Sequence, residues 1–388
     1  MSFEELWEQT LPIGRLASGG YDRLPFTPAE RELDAWFVAA AVERGLAVVT
    51  DRFGNRIAWW PGDAVGDAVV AGSHLDSVSD GGAFDGPLGV VSALAAVDAL
   101  QAEGFRPSRP LGVGVFVAEE GSRFPVACLG SRLACGALAW TSARELRGAD
   151  GVALGDLVEG GQAPSLEIST FVELHVEQGR QLAVLDAPVG LASEIWPHGR
   201  YRFDFAGQAN HAGTTAMVDR HDPMLTYAVT ALAAAKLARE GGQRATFGRV
   251  AVTPNGTNAV PSLVRAWLDA RCPHEPGLTA LVAEISRYAH TRADKDGTTV
   301  EVSRESLTRR VLFDAGLASR MVHGRGWPVV PTQAGHDAGI LAEAGVASGM
   351  LFVRNPTGVS HAPAEHAELA DCLAGVAALT DVLRHLAG

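Results

Sequence analysis

The stretch GSHLDSVSDGGAFDGPLG, residues 72–89, contains one histidine, three aspartates and five glycines within eighteen residues. Apolar runs flank it on both sides, AVVA before it and VVSALAAVDAL after it. A flexible acidic linker is not flanked by segments of the buried type. The stretch is therefore predicted to be a polar loop between a buried strand and a helix.

Outward from this loop, buried strands alternate with helices. The predicted strands are 67–72, 111–120 and 171–179, and the predicted helix after the loop is 89–104. This alternation indicates an α/β sheet that is covered by helices on both faces. His74, Asp76, Glu119, Glu120 and His175 lie at or just past the C-terminal ends of these strands, where open α/β sheets bind ligands.

The N-terminal region predicts a helix after Thr27. Pro28 suits the first helical position, Thr27 is a capping residue, and Glu30 would complete a capping box. Two short strands, LAVVT and RIAWW, follow around the turn-rich loop DRFGN.

From residue 198 the pattern of elements changes. Strands and helices follow in the order β-α-β-β-α-β, with Asp222 as the cap of the first helix, which describes a ferredoxin-like unit. Afterwards HDAGILAEAG and GMLFVR return to buried α/β patterning. We therefore predict a discontinuous domain, 1–197 and 310–388, that is interrupted by an inserted domain, 198–309.

Composition excludes several classes of protein. The 388 residues carry a net charge of −13, which argues against nucleic acid and anionic membrane surfaces as partners. The four cysteines form no CxxC pair, so a disulfide framework and a structural zinc knuckle are not expected. The N-terminus does not resemble a signal peptide and no apolar run spans a membrane, so a cytoplasmic location is expected.

The histidines and carboxylates at the strand ends have ordinary interpretations when each is taken alone. A histidine after a strand is commonly a hydrogen-bonded loop residue, Asp85 beside glycines is a turn former, and a Glu pair is commonly solvated. Taken together with His361, these residues suit a pair of divalent ions about 3.5–4 Å apart that share one carboxylate. The mixed donor set fits zinc or manganese, and also nickel or cobalt.

Eight motifs occur in the order HLDSVSDGGAFDG, AEEGSRF, ELHVEQG, GQANHAGTT, PNGTNAVP, LDAR, AGHDAG and GVSHAPAE. In this order they resemble the amidase/hydantoinase/carbamoylase family. It is the allantoate amidohydrolase and N-carbamoyl-L-amino acid hydrolase branch of the di-metal aminoacylase-like peptidase superfamily. The resemblance runs from about Gly14 to Glu365. It implies a di-metal aminopeptidase-like catalytic domain, a mixed sheet covered by helices, with an inserted ferredoxin-like α+β domain that acts as lid and dimerisation domain.

The resemblance also implies a ligand set. His74 and His175 would hold one ion, Glu120 and His361 the other, and Asp85 would bridge them.

Further roles follow from the same motifs. Asp76 would orient His74, Glu119 would be the general base, and Gln178 would line the substrate pocket. Glu173 and Glu177 could be ligands by composition, but the family pattern does not use them.

The inserted domain would supply residues that contact the substrate. Asn210, His211, Asn258 and Arg271 match positions that bind the substrate carboxylate or polarise the scissile carbonyl in the family. Arginine suits a carboxylate because its guanidinium offers two parallel donors. The inserted domain would also pair with its twin in a homodimer, and either subunit could supply His211.

Two departures from the family pattern concern the substrate. Thr332-Gln333 precede AGHDAG, and Arg354-Asn355 stand where Pro-Ser is common. Arg354 is interpreted either as a substrate contact or as a salt-bridged loop residue. His336 and Asp337 are interpreted as residues that line the pocket or support its lining from behind. Polar side chains here favour allantoate by a small margin over an N-carbamoyl-L-amino acid. An aminoacylase or peptidase and an inactive binding protein remain lesser alternatives.

Overall fold

The structure is a computed structural model that describes residues 2–163 and 166–388. The chain forms two compact units. The first unit consists of the residues up to Glu194 and of Leu312–Gly388, and the second is Ile195–Val311. The predicted boundaries, at 197/198 and 309/310, lie within a few residues of these. Positions 1, 164 and 165 of the predicted first domain lie outside the described residues.

The elements are given in chain order. The chain begins with α1 (Phe3–Thr10), α2 (Pro28–Glu43), β1 (Ala47–Thr50), β2 (Arg56–Trp59), β3 (Val69–His74), α3 (Pro87–Ala102), β4 (Leu111–Phe116), α4 (Leu129–Cys135), α5 (Trp140–Ala143), β5 (Thr170–Val176), α6 (Gln181–Val184) and β6 (Val189–Ile195). The second unit contains β7 (His198–Ala206), β8 (Asn210–His211), α7 (Pro223–Glu240), β9 (Arg244–Thr253), β10 (Ala259–Val260), β11 (Leu263–Arg271), α8 (Glu275–Asp296) and β12 (Thr299–Thr308). The chain then continues with β13 (Val311–Leu312), α9 (Ala315–Val322), β14 (Val329–Thr332), α10 (Asp337–Glu343), β15 (Ala347–Val353) and α11 (Leu369–Ala387).

A mixed sheet forms the centre of the first unit, with the strand order β1-β2-β4-β3-β5-β15-β6-β13 and with β14 paired to β6. Strands β4, β3, β5 and β15 run parallel to one another, whereas β2 pairs antiparallel with β4 and β6 pairs antiparallel with β15. Every residue of β3, β4 and β5 is buried, as expected for strands that are covered on both faces. The predicted α/β architecture is therefore confirmed.

Two glycines of the opening stretch allow close packing around β3. A Cβ atom at Gly72 would overlap the backbone carbonyl of Gly114 in β4, and one at Gly89 would overlap the carbonyl of Leu174 in β5. Only glycine lets the backbones approach this closely. The loop that joins β3 to α3 is thereby held against the sheet edge where the parallel strands end.

The predicted capping box of α2 is wrong. Thr27 Oγ1 donates to the Leu24 carbonyl at 2.7 Å, and Glu30 accepts from the backbone N–H of Phe26 at 3.0 Å. The helix nevertheless begins at Pro28, because the fixed φ of proline suits the first helical position.

The second unit has the predicted β-α-β-β-α-β order. Its sheet has the strand order β12-β7-β11-β9, and each strand is antiparallel to its neighbours. Phe203 and Phe205 lie in the core of this unit with Val264 and Ile285. Asp222 caps α7 by accepting from the Met224 N–H at 2.9 Å, as predicted. The lid and dimerisation functions of this unit stay predictions.

None of the helices formed by residues 2–163 and 166–388 combines the length and the apolarity needed to span a bilayer.

Candidate metal centre and substrate residues

The first group of possible metal ligands joins His74, Asp85 and His175 at the C-terminal edge of the parallel strands. Nε2 of His74 lies 3.4 Å, and Nε2 of His175 3.1 Å, from Oδ1 of Asp85. All three side chains are buried. Two imidazole nitrogens and one carboxylate oxygen form a donor set that suits zinc and the neighbouring divalent metals.

Backbone carbonyl groups set the tautomers of both imidazoles. Nδ1 of His74 lies 3.0 Å from the carbonyl oxygen of Asp76, and Nδ1 of His175 lies 2.9 Å from that of Val176. Because a carbonyl oxygen can only accept, each Nδ1 is assigned the proton. Each Nε2 then faces Asp85 and, in the neutral ring, has a lone pair that can bind a cation.

The second group joins Asp85, Glu120 and His361. Nε2 of His361 lies 3.4 Å from Oδ2 of Asp85 and 3.4 Å from Oε2 of Glu120. Asp85 therefore presents one carboxylate oxygen to each group, as a bridging ligand would. Oε1 of Glu120 and Nε2 of His74 are buried and lack a hydrogen-bond partner among the described residues, so the centre offers atoms that cations would satisfy.

The buried carboxylates of the two groups need positive charge nearby if they are to ionise. Burial raises the pKa of Glu120 well above its usual value and the pKa of Glu119 to about 8. Burial opposes ionisation of Asp85, but the charge of His175 and the hydrogen bonds of Asp85 with His175, His361 and His74 together outweigh it and hold the pKa of Asp85 well below its usual range. Burial also opposes protonation of His175, and Asp85 nevertheless raises the pKa of this imidazole to about 9. Two divalent cations would supply the positive charge that protons otherwise provide.

Glu119 lies beside the first group with its two oxygens in different surroundings. Oε2 is 3.8 Å from Nε2 of His74, whereas Oε1 accepts from the thiol of Cys128 at 3.0 Å. The carboxylate thus has one oxygen fixed and one oxygen at the metal centre. Cys128 lies outside the family motifs, and no sequence signal predicted its contact with Glu119.

Asp76 contacts both His74 and the segment that carries the two glutamates. Its backbone carbonyl, rather than its carboxylate, is the close partner of His74, since the nearest carboxylate oxygen lies 3.6 Å from Nδ1. The carboxylate accepts from the backbone N–H groups of Glu119 and Glu120 at 3.0 and 3.2 Å. Asp76 therefore ties the end of β3 to the segment after β4, which carries both glutamates.

Gln178, predicted to line the substrate pocket, lies at the second group. Its Nε2 donates to Oδ2 of Asp85 at 2.7 Å and is 3.3 Å from Nε2 of His361. The side chain thus contacts two of the candidate ligands directly.

His336 does not line an open pocket. It is 2% exposed, and its ring packs edge-on against His175 with the ring centroids 4.6 Å apart. Burial lowers its pKa well below the usual value, so the ring is neutral. This packing contact behind a candidate ligand fits the interpretation of His336 as a residue behind the pocket lining rather than as a substrate contact. Asp337, which follows it, is likewise buried.

A third group, Glu173, His175 and His336, also satisfies the spacing of metal ligands. The two oxygens of Glu173 already accept from Ser73 Oγ at 2.8 Å and from the Ala338 N–H at 2.9 Å. These bonds give Glu173 a structural function.

Glu177 is structural as well, because it accepts from the N–H groups of Gln181 and Leu182 at the start of α6.

For Arg354 the structure favours the salt-bridge alternative over a substrate contact. The guanidinium donates twice to Asp371, at 2.8 and 2.9 Å, and once to Asp186 at 2.9 Å. Asn355 is fully buried, and its Oδ1 accepts from the N–H groups of Thr357 and Gly358. The polar pocket that these two residues were expected to form is therefore not observed.

In the second unit, β8 and β10 bring three of the predicted substrate residues together. His211 pairs with Ala259, and the Asn258 carbonyl accepts from the Ala212 N–H at 2.9 Å. Asn210 Oδ1 accepts from the N–H of His211 at 3.0 Å.

Arg271 lies at the other end of the sheet of the second unit. Residues 210 and 211 follow β7 shortly after its last residue, Ala206, and residue 258 shortly precedes the first residue of β11, Leu263. Ala206 and Leu263 are paired, so all three residues lie beyond the same end of the sheet. Arg271 is the last of the nine residues of β11, so about 26 Å of strand separates it from that end at ~3.3 Å per residue. Its guanidinium contacts both carboxylate oxygens of Asp269, at 2.7 and 3.1 Å.

Comparisons with known proteins identify the family of the chain. A model of peptidase family M20/M25/M40 matches residues 67–385. The chain is 34% identical over 407 residues to the N-carbamoyl-L-amino acid amidohydrolase of Geobacillus stearothermophilus, with 99% of this chain and 98% of that protein covered. It is 32% identical over 409 residues to the allantoate amidohydrolase of Bacillus subtilis, with 100% of this chain and 97% of that protein covered.

A solved structure extends this likeness to the fold. The crystal structure of an amidase of the hydantoinase/carbamoylase family from Burkholderia multivorans aligns with a TM-score of 0.88 at 27% identity, with 99% of this chain and 98% of that chain covered. The chain therefore belongs to peptidase family M20/M25/M40, in its hydantoinase/carbamoylase branch of amidohydrolases, and is an enzyme of the hydrolase class.

Proposed function

We propose that this enzyme hydrolyses the ureido C–N bond of a small carboxylate with two divalent metal ions. The observation that carries the proposal is the shared carboxylate of Asp85, which presents one oxygen to the His74–His175 group and the other to the Glu120–His361 group. Ions held there would acidify a water molecule and polarise the carbamoyl carbonyl. Zinc and manganese both fit the donor set.

Glu119 is the proposed general base. Oε1 is held by the Cys128 thiol, so Oε2, on the side of His74, is the oxygen that takes the proton of the attacking water. The same oxygen then returns the proton to the departing nitrogen. The negatively charged oxygen re-forms the carbonyl as the C–N bond breaks, and the carbamic acid that results decomposes to ammonia and carbon dioxide.

His211 is the proposed donor to the oxygen that becomes negative during the attack. Its Nδ1 accepts from the N–H groups of Gly213 and Thr214, at 3.0 and 3.2 Å. The proton of the neutral ring is therefore assigned to Nε2. An exposed Nε2–H that is fixed in this tautomer is suited to stabilise an oxyanion.

The separation of His211 from Arg271 supports a dimeric enzyme. The two residues lie at opposite ends of the sheet of one compact unit. If both contact one small substrate, they therefore come from different subunits. Paired copies of the second unit would supply both.

This geometry makes a complementation test possible. We expect His211→Ala and Arg271→Ala to be inactive separately. Coexpression restores roughly a quarter of the activity, because half of the dimers are mixed and each mixed dimer has one intact site. No recovery in a confirmed mixed dimer would show that both residues act from the same subunit.

The proposed substrate class includes allantoate and the N-carbamoyl-L-amino acids, which are the substrates named for the two relatives compared above. The observation that favoured allantoate was the polar character of Arg354 and Asn355. Since both side chains are engaged in structural contacts, no described residue near them now favours one substrate over the other. Side-by-side assays of both compounds are therefore part of the test.

The test measures ammonia release by the purified enzyme with added manganese or zinc. Allantoate and a panel of N-carbamoyl-L-amino acids are compared by this assay, and N-acyl amino acids and dipeptides are compared by the release of free amino acid. We expect release from a ureido substrate, and its loss in Glu119→Gln while both ions remain bound. Glu368→Gln, a change at an exposed glutamate, is the matched control. An active Glu119→Gln variant would exclude Glu119 as the base, and metal binding without hydrolysis of any compound would instead indicate an inactive binding protein.

A further inference from the structure

Glu365 contacts the loop of Asp85 although 280 residues separate the two in sequence. Its Oε1 accepts from the backbone N–H of Phe84 at 2.9 Å and from that of Asp85 at 3.0 Å. The residue is 5% exposed. These two hydrogen bonds fix the backbone that carries the shared carboxylate.

The other oxygen of Glu365 faces the loop that carries His361. Oε2 lies 3.2 Å from Oγ of Ser360, the residue before His361. The same Oγ is 3.3 Å from Oδ2 of Asp85. The hydroxyl has one hydrogen and can donate to either carboxylate, and in both cases Ser360 lies between the two acids.

The glycine-rich stretch makes room for this contact. A Cβ atom at Gly82 would overlap the carboxyl group of Glu365. Glycine at position 82 therefore allows the loop to close over Glu365, and this explains one of the glycines in the sequence that precedes Asp85.

We propose that Glu365 is a positioning residue of the metal centre. One buried carboxylate joins the loop of the shared ligand Asp85 to the loop of His361 and so sets the spacing between the two candidate cation sites. Carboxylate ligands depend on such outer hydrogen bonds for their orientation. The inference rests on the proposed function only in that the centre binds two ions.

The test compares metal binding rather than turnover. Metal-free wild type, Glu365→Ala and Glu365→Gln are titrated with Mn²⁺ against a competing chelator. We expect Glu365→Ala to bind about 10–100-fold more weakly, the usual effect of losing an outer-sphere partner. Glu365→Gln should recover most of this loss, because its amide oxygen can accept from the same two N–H groups. Glu368→Ala, an exposed change three residues away, is the control and should bind like wild type.

A spectroscopic measurement separates positioning from general stability. Two Mn²⁺ ions that share the Asp85 carboxylate are expected to show exchange coupling in electron paramagnetic resonance. We expect this signal to weaken in Glu365→Ala and to return in Glu365→Gln. Wild-type affinity and wild-type coupling in Glu365→Ala would overturn the inference.

A further variant covers the case in which Glu365→Ala does not fold. Glu365→Asp keeps the charge but is one methylene shorter, so it cannot reach both N–H groups, and it should bind Mn²⁺ more weakly than Glu365→Gln. Equal affinities for these two variants and wild type would also overturn the inference. A wild-type protein that binds two ions but hydrolyses no ureido compound would refute the proposed function and leave this inference intact.

Discussion

The contact between Cys128 and Glu119 leads to a prediction about catalysis. The thiol donates to Oε1 of Glu119 at 3.0 Å, and both side chains are buried. Cys128→Ala would remove the donor and leave this oxygen without its partner. The carboxylate could then rotate, and Oε2 would no longer be held on the side of His74.

The size of the effect follows from the type of hydrogen bond. Bonds to charged groups contribute about 1.5–3 kcal/mol, and a thiol is a weak donor, so the lower end applies. About 1.5 kcal/mol corresponds to roughly a tenfold decrease in kcat. We expect KM to stay near the wild-type value, because the loss affects the base rather than substrate binding.

The assay is steady-state kinetics on the best ureido substrate, with the metal content of each variant measured. Cys128→Ser keeps a donor and should recover most of kcat. Cys135→Ala, a change at a half-buried thiol whose nearest partner is the Arg132 carbonyl at 3.7 Å, is the control. Wild-type kcat in Cys128→Ala, or no higher activity in Cys128→Ser than in Cys128→Ala, would contradict the role of the thiol in holding Glu119.

Three further predictions concern stability. Burial raises the pKa of Asp337 to about 8, above its unfolded value. The protonated Asp337 therefore contributes its full stabilisation below about pH 4, and this contribution is lost as the pH rises through 8. In urea unfolding of the metal-free protein, the free energy of unfolding should fall over this pH range in wild type and should fall less in Asp337→Asn. Arg354→Ala should lower the free energy of unfolding by about 1–3 kcal/mol, because it leaves the buried Asp371 carboxylate unpaired. KM should be unchanged; a large rise in KM at unchanged stability would instead support a substrate contact of Arg354. Phe203→Ala, in the core of the second unit, should cost about 3–5 kcal/mol in thermal unfolding, and an unchanged melting temperature would contradict the burial described.

The arrangement of the candidate ligands was predictable because it depends on topology. His74 and His175 end parallel strands, and such ends must meet at one sheet edge. Asp85 follows the first of these strands in a loop that glycines hold close to the sheet. The alternation of buried strands and helices therefore predicted that these residues lie near one edge of the sheet, and the family resemblance implied which of them are ligands.

The contacts that were missed depend on loops and on partners distant in sequence. Arg354 donates to Asp186 and Asp371, which are distant in sequence. Cys128 donates to Glu119 because of the turn that precedes α4. No local periodicity encodes such pairings.

The position of β15 has a consequence for protein synthesis. This strand lies between β5 and β6 in the sheet order, yet it is translated after the whole of the second unit. A ribosome adding about 5–20 residues per second therefore releases β5 and β6 well before the strand that separates them. The second unit can complete its own fold during this interval, and the candidate metal centre, which includes His361, is assembled among the last parts of the enzyme.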